Sequence, residues 1–297
     1  MKKIFILGSL NMDLVITCPR EIYQGETLHG SDFMTNRGGK GANQATACGK
    51  LGAEVYMGGC VGSDSFGAEL IGGLKACGVN TEYIRAVDNV SSGVAVIIII
   101  DHDNRIILDS GANSMVTEED IDSLFVTAEE GDIFLTQLEN PIDIVGYALR
   151  SAKEKGLVTV LNPAPCDVSV SKYLQSVDFF IPNENELAAF TGEGSVETGA
   201  RKLFAIGVRN VIVTLGNKGY CFVNGKEFIN EACIEMDVVD TTAAGDTFCG
   251  AFVTRLAVGD TVAQALRFAN KAAAITVTRR GAAQSIPTLD EVKKIFG

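Results

Sequence analysis

The chain has 297 residues, 46% of them apolar and 21% charged, and a formal net charge of -12. That length makes one large α/β domain or two ordinary ones, each with a sizeable core. The acidic surplus excludes bulk nucleic-acid binding, which needs basic groups to neutralise phosphates, and the longest apolar run, Val94–Ile100, is far short of a membrane span.

In chain order, Met1–Leu10 sets two lysines before an apolar run, but Asn11 and Asp13 interrupt it too early for a secretory signal. Lys3–Gly8 reads instead as a buried first strand. Asn11 and Asp13 follow it at alternate positions, which points both side chains the same way at its carboxyl end. An amide and a carboxylate converging there suit sugar hydroxyls. Residues 36–47, N-R-G-G-K-G-A-N-Q-A-T-A, form a glycine-rich turn entering an Ala-rich helix over Ala42–Leu51, with Lys40 and Asn43 on its first turns.

A strand over Val55–Val61 and a helix over Ser65–Cys77 come next. Helices follow at Glu118–Glu130, with Thr117 as N-cap, and at Ile142–Lys155, Glu184–Phe190, Val196–Ile206, Ala244–Ala257 and Thr261–Thr278. Strands fall at Ile133–Thr136, Val158–Asn162, Phe179–Pro182 and Val211–Leu215. This alternation predicts a three-layer α/β/α fold with a mostly parallel sheet, ligands binding beyond the carboxyl ends of its strands.

Leu14–Arg37 and Ser91–Gly111 break the pattern. The second alternates as a hairpin around the polar turn D-H-D-N. The two regions (about 14–37 and 91–111) are expected to pair as a small β-sheet lid over the mouth of the main sheet, in one domain spanning 1–297. Its Ile-rich face wants a partner.

The most informative segment is Val239–Ala251, V-D-T-T-A-A-G-D-T-F-C-G-A. Ala243, Ala244 and Gly245 let an anion approach the free amides of a helix start, at the positive end of its dipole. Asp246 then sits where a carboxylate takes a proton from an attacking hydroxyl. The spacing of G-G-K-G is not that of a P-loop, and G-S-L-N is not a dinucleotide fingerprint. The eight cysteines include no C-x-x-C pair and there are two histidines, His29 and His102. Zinc and a disulfide framework are therefore not expected; most thiols should be buried small apolar residues of a cytoplasmic protein.

G-G-K-G-A-N-Q-A at 38–45 and D-T-T-A-A-G-D-T-F at 240–248 together resemble the ribokinase family of sugar kinases. S-L-N-M-D, Q-L-E, N-P-A-P, P-N-E-N-E, T-L-G-N-K-G and V-T-R-R-G-A add to the likeness, which covers essentially the whole chain. The resemblance implies phosphorylation of D-ribose at its 5-hydroxyl by ATP. Kinases of deoxyribose, fructose or adenosine, and a non-catalytic sugar sensor, are the alternatives. It places Asn11, Asp13, Gly39, Lys40, Asn43 and Glu139 around the sugar, Asp246 as base, and the amides of Ala243, Ala244 and Gly245 as the anion hole. It assigns Asn183, Thr214, Gly216, Gly219, Gly245 and Asn270 to the nucleotide, and Asn183 and Glu186 also to Mg²⁺, through water. It assigns K⁺ to Asp240, Ser285 and the backbone of Thr242, Thr276, Arg279 and Gly281. It also implies a homodimer formed through the lid.

Overall fold

In the computed structural model, which describes residues 1–101 and 103–297, the first strand shows why the main sheet is buried. All four residues of β1 (Ile4–Leu7) are inaccessible, Ile4 and Ile6 in one apolar cluster, Phe5 and Leu7 in another. Alternate residues of a strand face opposite sides, so an unbroken apolar run marks a strand covered on both faces.

β2 (Asn11–Thr17) and β3 (Ser31–Gly38) lead to α1 (Lys40–Lys50), followed by β4 (Val55–Gly62), α2 (Ser65–Ala76) and β5 (Asn80–Val87). The hairpin of β6 (Gly93–Ile100) and β7 (Asp103–Asp109) precedes α3 (Glu118–Leu124), β8 (Ile133–Thr136), α4 (Ile142–Glu154), β9 (Val158–Leu161) and β10 (Phe179–Phe180). Then come α5 (Glu184–Thr191), α6 (Val196–Ala205), β11 (Asn210–Thr214), β12 (Tyr220–Asn224), β13 (Phe228–Glu231), α7 (Ala244–Ala257), α8 (Val262–Thr276) and α9 (Leu289–Phe296).

The main sheet is ordered β13-β12-β11-β10-β9-β8-β1-β4-β5, parallel from β5 to β11 and antiparallel at the β11-β12-β13 edge. The two aperiodic regions supply a separate sheet ordered β3-β2-β6-β7. Gly8-Ser9-Leu10 carries the chain from the end of β1 directly into it. No helix among the described residues is long and apolar enough to cross a membrane.

Several expectations need correction. Asn11 and Asp13 do not trail β1; they lie on β2, and their shared face comes from the pleat of that strand. The helix predicted to reach Glu130 ends at Leu124, where the Phe125 amide closes back on Ile121 and Asp132 accepts from the Glu129 N–H. β5, β12, β13 and α9 were not foreseen. His102, in the predicted D-H-D-N turn, lies outside the described residues.

Candidate active site

α7 begins abruptly. Its N-cap, Ala243, adopts φ 60°, ψ 7°, a left-handed conformation that costs a residue with a Cβ. The kink leaves the Gly245 and Asp246 N–H groups without a partner among the described residues, whereas the Thr247 N–H bonds the Ala243 carbonyl at 2.8 Å, and the Ala244 N–H, expected in the anion hole, is instead taken by the Thr241 carbonyl at 3.3 Å. The space in front of Gly245 is open: a Cβ there would meet nothing within 4 Å. Two free donors at the positive end of a helix make an anion seat.

Asp246 is buried behind that seat. Its Oδ2 accepts from Asn43 Nδ2 at 3.0 Å and its Oδ1 from Gln44 Nε2 at 3.1 Å, so α1 grips both carboxylate oxygens. Gly250 makes this approach of α1 and α7 possible, because a Cβ there would come within 2.7 Å of the Gln44 carbonyl.

Around Asp246 stand Lys40, Asp13, Glu139 and Glu186, each within electrostatic reach of at least two others. Burial pushes the Asp13 carboxyl up to about 7, with the Glu139 and Asp246 charges adding to the effect. Burial would lower the Lys40 ammonium, yet the combined field of Asp246, Glu139 and Glu186 holds it above its ordinary value. Lys40 is therefore charged and balances a carboxylate cluster. The Glu139 carboxylate accepts from the Ser9 hydroxyl and from the Lys40 backbone N–H at 3.1 Å. Gly39, at φ 91°, makes that turn; a Cβ on it would lie 2.7 Å from the Ser9 carbonyl oxygen and 2.8 Å from the Asn11 nitrogen.

Asn11 joins the cluster through a residue the sequence reading missed. Asn113 is buried in the turn after β7; its side chain accepts from the Leu10 N–H at 2.9 Å and donates to the Leu10 carbonyl at 3.2 Å and to Asn11 Oδ1 at 2.7 Å. With that oxygen engaged, Asn11 is left with its NH₂ as the free end. The G-A-N-S after the predicted hairpin was the only signal, and a neutral amide in a turn reads as ordinary turn chemistry.

Other predicted residues are more spread out. Asn183 and Glu186 form a capping box on α5, Asn183 N–H to Glu186 Oε2 and Glu186 N–H to Asn183 Oδ1, each 2.8 Å. Burial nonetheless raises the Glu186 carboxyl, against the opposing pull of the Asn183 amide and Lys40. One Glu186 oxygen stays outside the cap and suits an outer-sphere contact to a hard cation. Asn183 bridges Thr214, and Gly216 and Gly219 both take positive φ in the β11–β12 turn. Asn270 donates to the Ala232 carbonyl at 2.9 Å, beside that turn's outer wall.

Asp240 ties two segments together, accepting from the Thr242 N–H at 2.9 Å, the Thr242 hydroxyl at 2.7 Å and the Gly281 N–H at 2.9 Å. Burial opposes its charge, but these donors outweigh it and keep the carboxyl below its ordinary range. The Arg279 guanidinium pairs with Glu291 at 2.7 Å, away from Asp240's own donors Thr242 and Gly281. The Thr276 hydroxyl bonds Thr247 on α7 at 3.0 Å, and the buried Ser285 hydroxyl donates to the Ala282 carbonyl at 2.7 Å. The donor set is entirely oxygen, the ligand type that a hard monovalent cation takes.

A carboxylate behind an anion seat, at the mouth of a parallel sheet beneath a smaller one, defines a phosphotransferase for small hydroxyl-bearing molecules. The family model described as pfkB family carbohydrate kinase matches residues 1–289. A ribokinase of Schizosaccharomyces pombe is 41% identical over 100% of this chain and 98% of its own length. A deoxyribokinase of Salmonella typhi is 35% identical over 97% of this chain and 96% of its own. The structure of Arabidopsis thaliana ribokinase complexed with ribose and ATP superposes with a TM-score of 0.90 at 33% identity, covering 99% of this chain and 98% of that one. The chain belongs to the pfkB family of carbohydrate kinases and is an ATP-dependent sugar kinase.

Proposed function

We propose that the protein transfers the γ-phosphoryl group of ATP to the 5-hydroxyl of D-ribose, giving ribose 5-phosphate and ADP, with the whole chain acting as one kinase domain under a β-sheet lid. The observation that carries this reading is the position of Asp246, between the free amides of α7 and the Asp13–Lys40–Glu139 cluster. Asn11, Asp13, Gly39, Lys40, Asn43 and Glu139 line a pocket of charged and amide groups, which suits a free pentose rather than a nucleoside with its flat base.

In the step itself, the Asp246 carboxylate takes the proton of the 5-hydroxyl as the sugar oxygen bonds to the γ-phosphorus. The bond from that phosphorus to the bridging oxygen breaks and ADP leaves with the electron pair. The free amides of Gly245 and Asp246, together with the Lys40 ammonium, meet the charge spread over the transferred oxygens. Thr214, Gly216, Gly219 and Asn270 flank the nucleotide. Asn183 and Glu186 would hold Mg²⁺ through water, and the ion would supply positive charge against the phosphates. The site works in the cytoplasm.

The test is ADP release from ATP·Mg²⁺ with D-ribose, 2-deoxyribose, fructose and adenosine, in Na⁺ or K⁺. Ribose-selective turnover supports the reading. Preference for 2-deoxyribose would move the substrate to a second reading, which the deoxyribokinase relative favours. Silence with all four would overturn it.

Asp240, Ser285 and the carbonyls of Thr242, Thr276, Arg279 and Gly281 would hold K⁺ beside the α7 start. Asp240→Ala is expected to abolish any difference between K⁺ and Na⁺, in turnover and in melting temperature alike. A variant that still distinguishes the two ions places the cation elsewhere.

The small sheet also carries the dimer contact. Edge strand β7 exposes Ile106 (60%) and Ile107 (64%), and Phe33 on β3 is 64% exposed. Unpaired edges with apolar side chains call for cover. The wild-type chain should run at twice its own mass in light scattering, and the double variant Ile106→Lys, Ile107→Lys as a monomer; a monomeric wild type removes this interface.

A further inference from the structure

The geometry points to Gln44 as a positioning residue for Asp246, holding that carboxylate through a chain of neutral amides that runs back to Gln137. The inference rests on the reading of Asp246 as the base. Gln44 is fully buried and Gln137 is 1% exposed. Gln44 Nε2 donates to Asp246 Oδ1 and to Asn162 Oδ1, both at 3.1 Å, and Gln44 Oε1 accepts from Gln137 Nε2 at 2.6 Å. Asn162 Nδ2 is itself fixed on the Ile181 carbonyl at 2.9 Å, which turns the Asn162 oxygen toward Gln44.

An amide has two N–H donors and one carbonyl, and Gln44 uses all three kinds of contact. Flipping it would set its oxygen against both a carboxylate and the Asn162 oxygen, and its nitrogen against the Gln137 NH₂. Gln137 is the less satisfied partner: its Oε1 is buried with no hydrogen bond, against Gly8, where a Cβ would collide with it. An orphaned buried oxygen is costly. It is kept here with the NH₂ turned toward Gln44, and that fixes the direction of the whole chain.

The choice of neutral groups matters. A cation at position 44 would pair with Asp246 and weaken it as a proton acceptor; an amide orients the carboxylate and leaves its charge in place. Asn43 holds the other oxygen, so two consecutive residues of α1 set the plane of the base. The charged and titratable groups facing Asp246 are Lys40 from α1, Asp13 from β2, Glu139 beyond β8, Glu186 from α5 and the Cys249 thiol of α7 itself.

The test compares Gln44→Met and Gln137→Met with the wild-type enzyme, in steady-state kinetics with ribose and ATP across pH. Gln44→Met is expected to lower kcat about tenfold, leaving both KM values within about threefold of wild type. Its kcat profile should lose activity at a higher pH on the acid side, since a carboxylate that loses a donor holds its proton more tightly. Gln137→Met, which does not touch Asp246, should shift the same limb less. A role in folding alone would lower the melting temperature without moving the limb. An unmoved acid limb in folded Gln44→Met overturns the assignment, and should that variant not fold, an unmoved limb in Gln137→Met does so. A wild-type enzyme inactive on every sugar would instead remove the kinase reading, and this role with it.

Discussion

Asp246→Asn is expected to lower kcat by about 10²-fold or more and to leave ribose and ATP binding near normal. Asn is close in shape to Asp; its oxygen keeps the Gln44 donor, and Asn43, whose Oδ1 has no partner, can turn to accept from the new NH₂, so the α1–α7 contact survives, but Asn takes no proton from the sugar hydroxyl. The loss of 10²-fold corresponds to about 2.7 kcal/mol of transition-state stabilisation, within the range for general base catalysis. The anion seat remains intact, because it is built from backbone N–H groups and the left-handed Ala243. A second consequence separates this variant from simple misfolding. Removing the Asp246 charge takes away one of the carboxylates that press on Asp13, after burial and Glu139. The Asp13 carboxyl should then ionise at lower pH, and the ribose KM below pH 7 should fall slightly rather than rise. Turnover within tenfold of wild type would remove Asp246 as the base.

The start of α7 was legible to the residue, because A-A-G-D joins small residues, an acidic side chain and an apolar helix in a single stretch. The parallel core was legible for a similar reason: β1, β8 and β9 are short apolar runs between amphipathic helices. β5, N-T-E-Y-I-R-A-V, was missed because it is an outer strand with alternating exposure and polar residues on its open face. α9 did carry a signal, the capping box of Thr288 and Glu291.

Within the site, the charged residues announced themselves and the amides did not. Asp13, Lys40, Glu139 and Asp246 stand out because charges are rarely placed near a core without purpose. Gln44, Gln137, Asn113 and Asn162 are ordinary residues in a sequence, and they acquire meaning only once folding brings together positions 44, 137 and 246. The strength of the pocket's electrostatics was hidden for the same reason. Nothing in N-M-D says that Asp13 will face two other carboxylates.

That crowding yields the second large effect. Asp13 is half-buried on β2, accepts no hydrogen bond from the described residues, and has its carboxyl pushed up to about 7 by burial, Glu139 and Asp246. Gly38 on the neighbouring strand leaves room for it, since a Cβ there would strike the carboxylate. In the proposed reading sugar hydroxyls supply the donors this group lacks, and they bond more strongly to its ionised form. A proton on Asp13 therefore competes with ribose. The ribose KM should fall about tenfold from pH 6 to pH 8 and level off above, as the ionised fraction rises across the titration. The free enzyme shows the opposite sign. With a folded value raised above 3.8, Asp13 adds stability that is complete below that pH and lost as pH rises through about 7. Ribose should consequently raise the melting temperature more at pH 8 than at pH 6. Asp13→Ala should raise the ribose KM at pH 8 by on the order of 10²-fold, the loss of charge-assisted hydrogen bonds, and flatten its pH dependence, while the ATP KM stays put. A wild-type ribose KM that is flat from pH 6 to pH 8 would place the proton-sensitive group outside the sugar's reach.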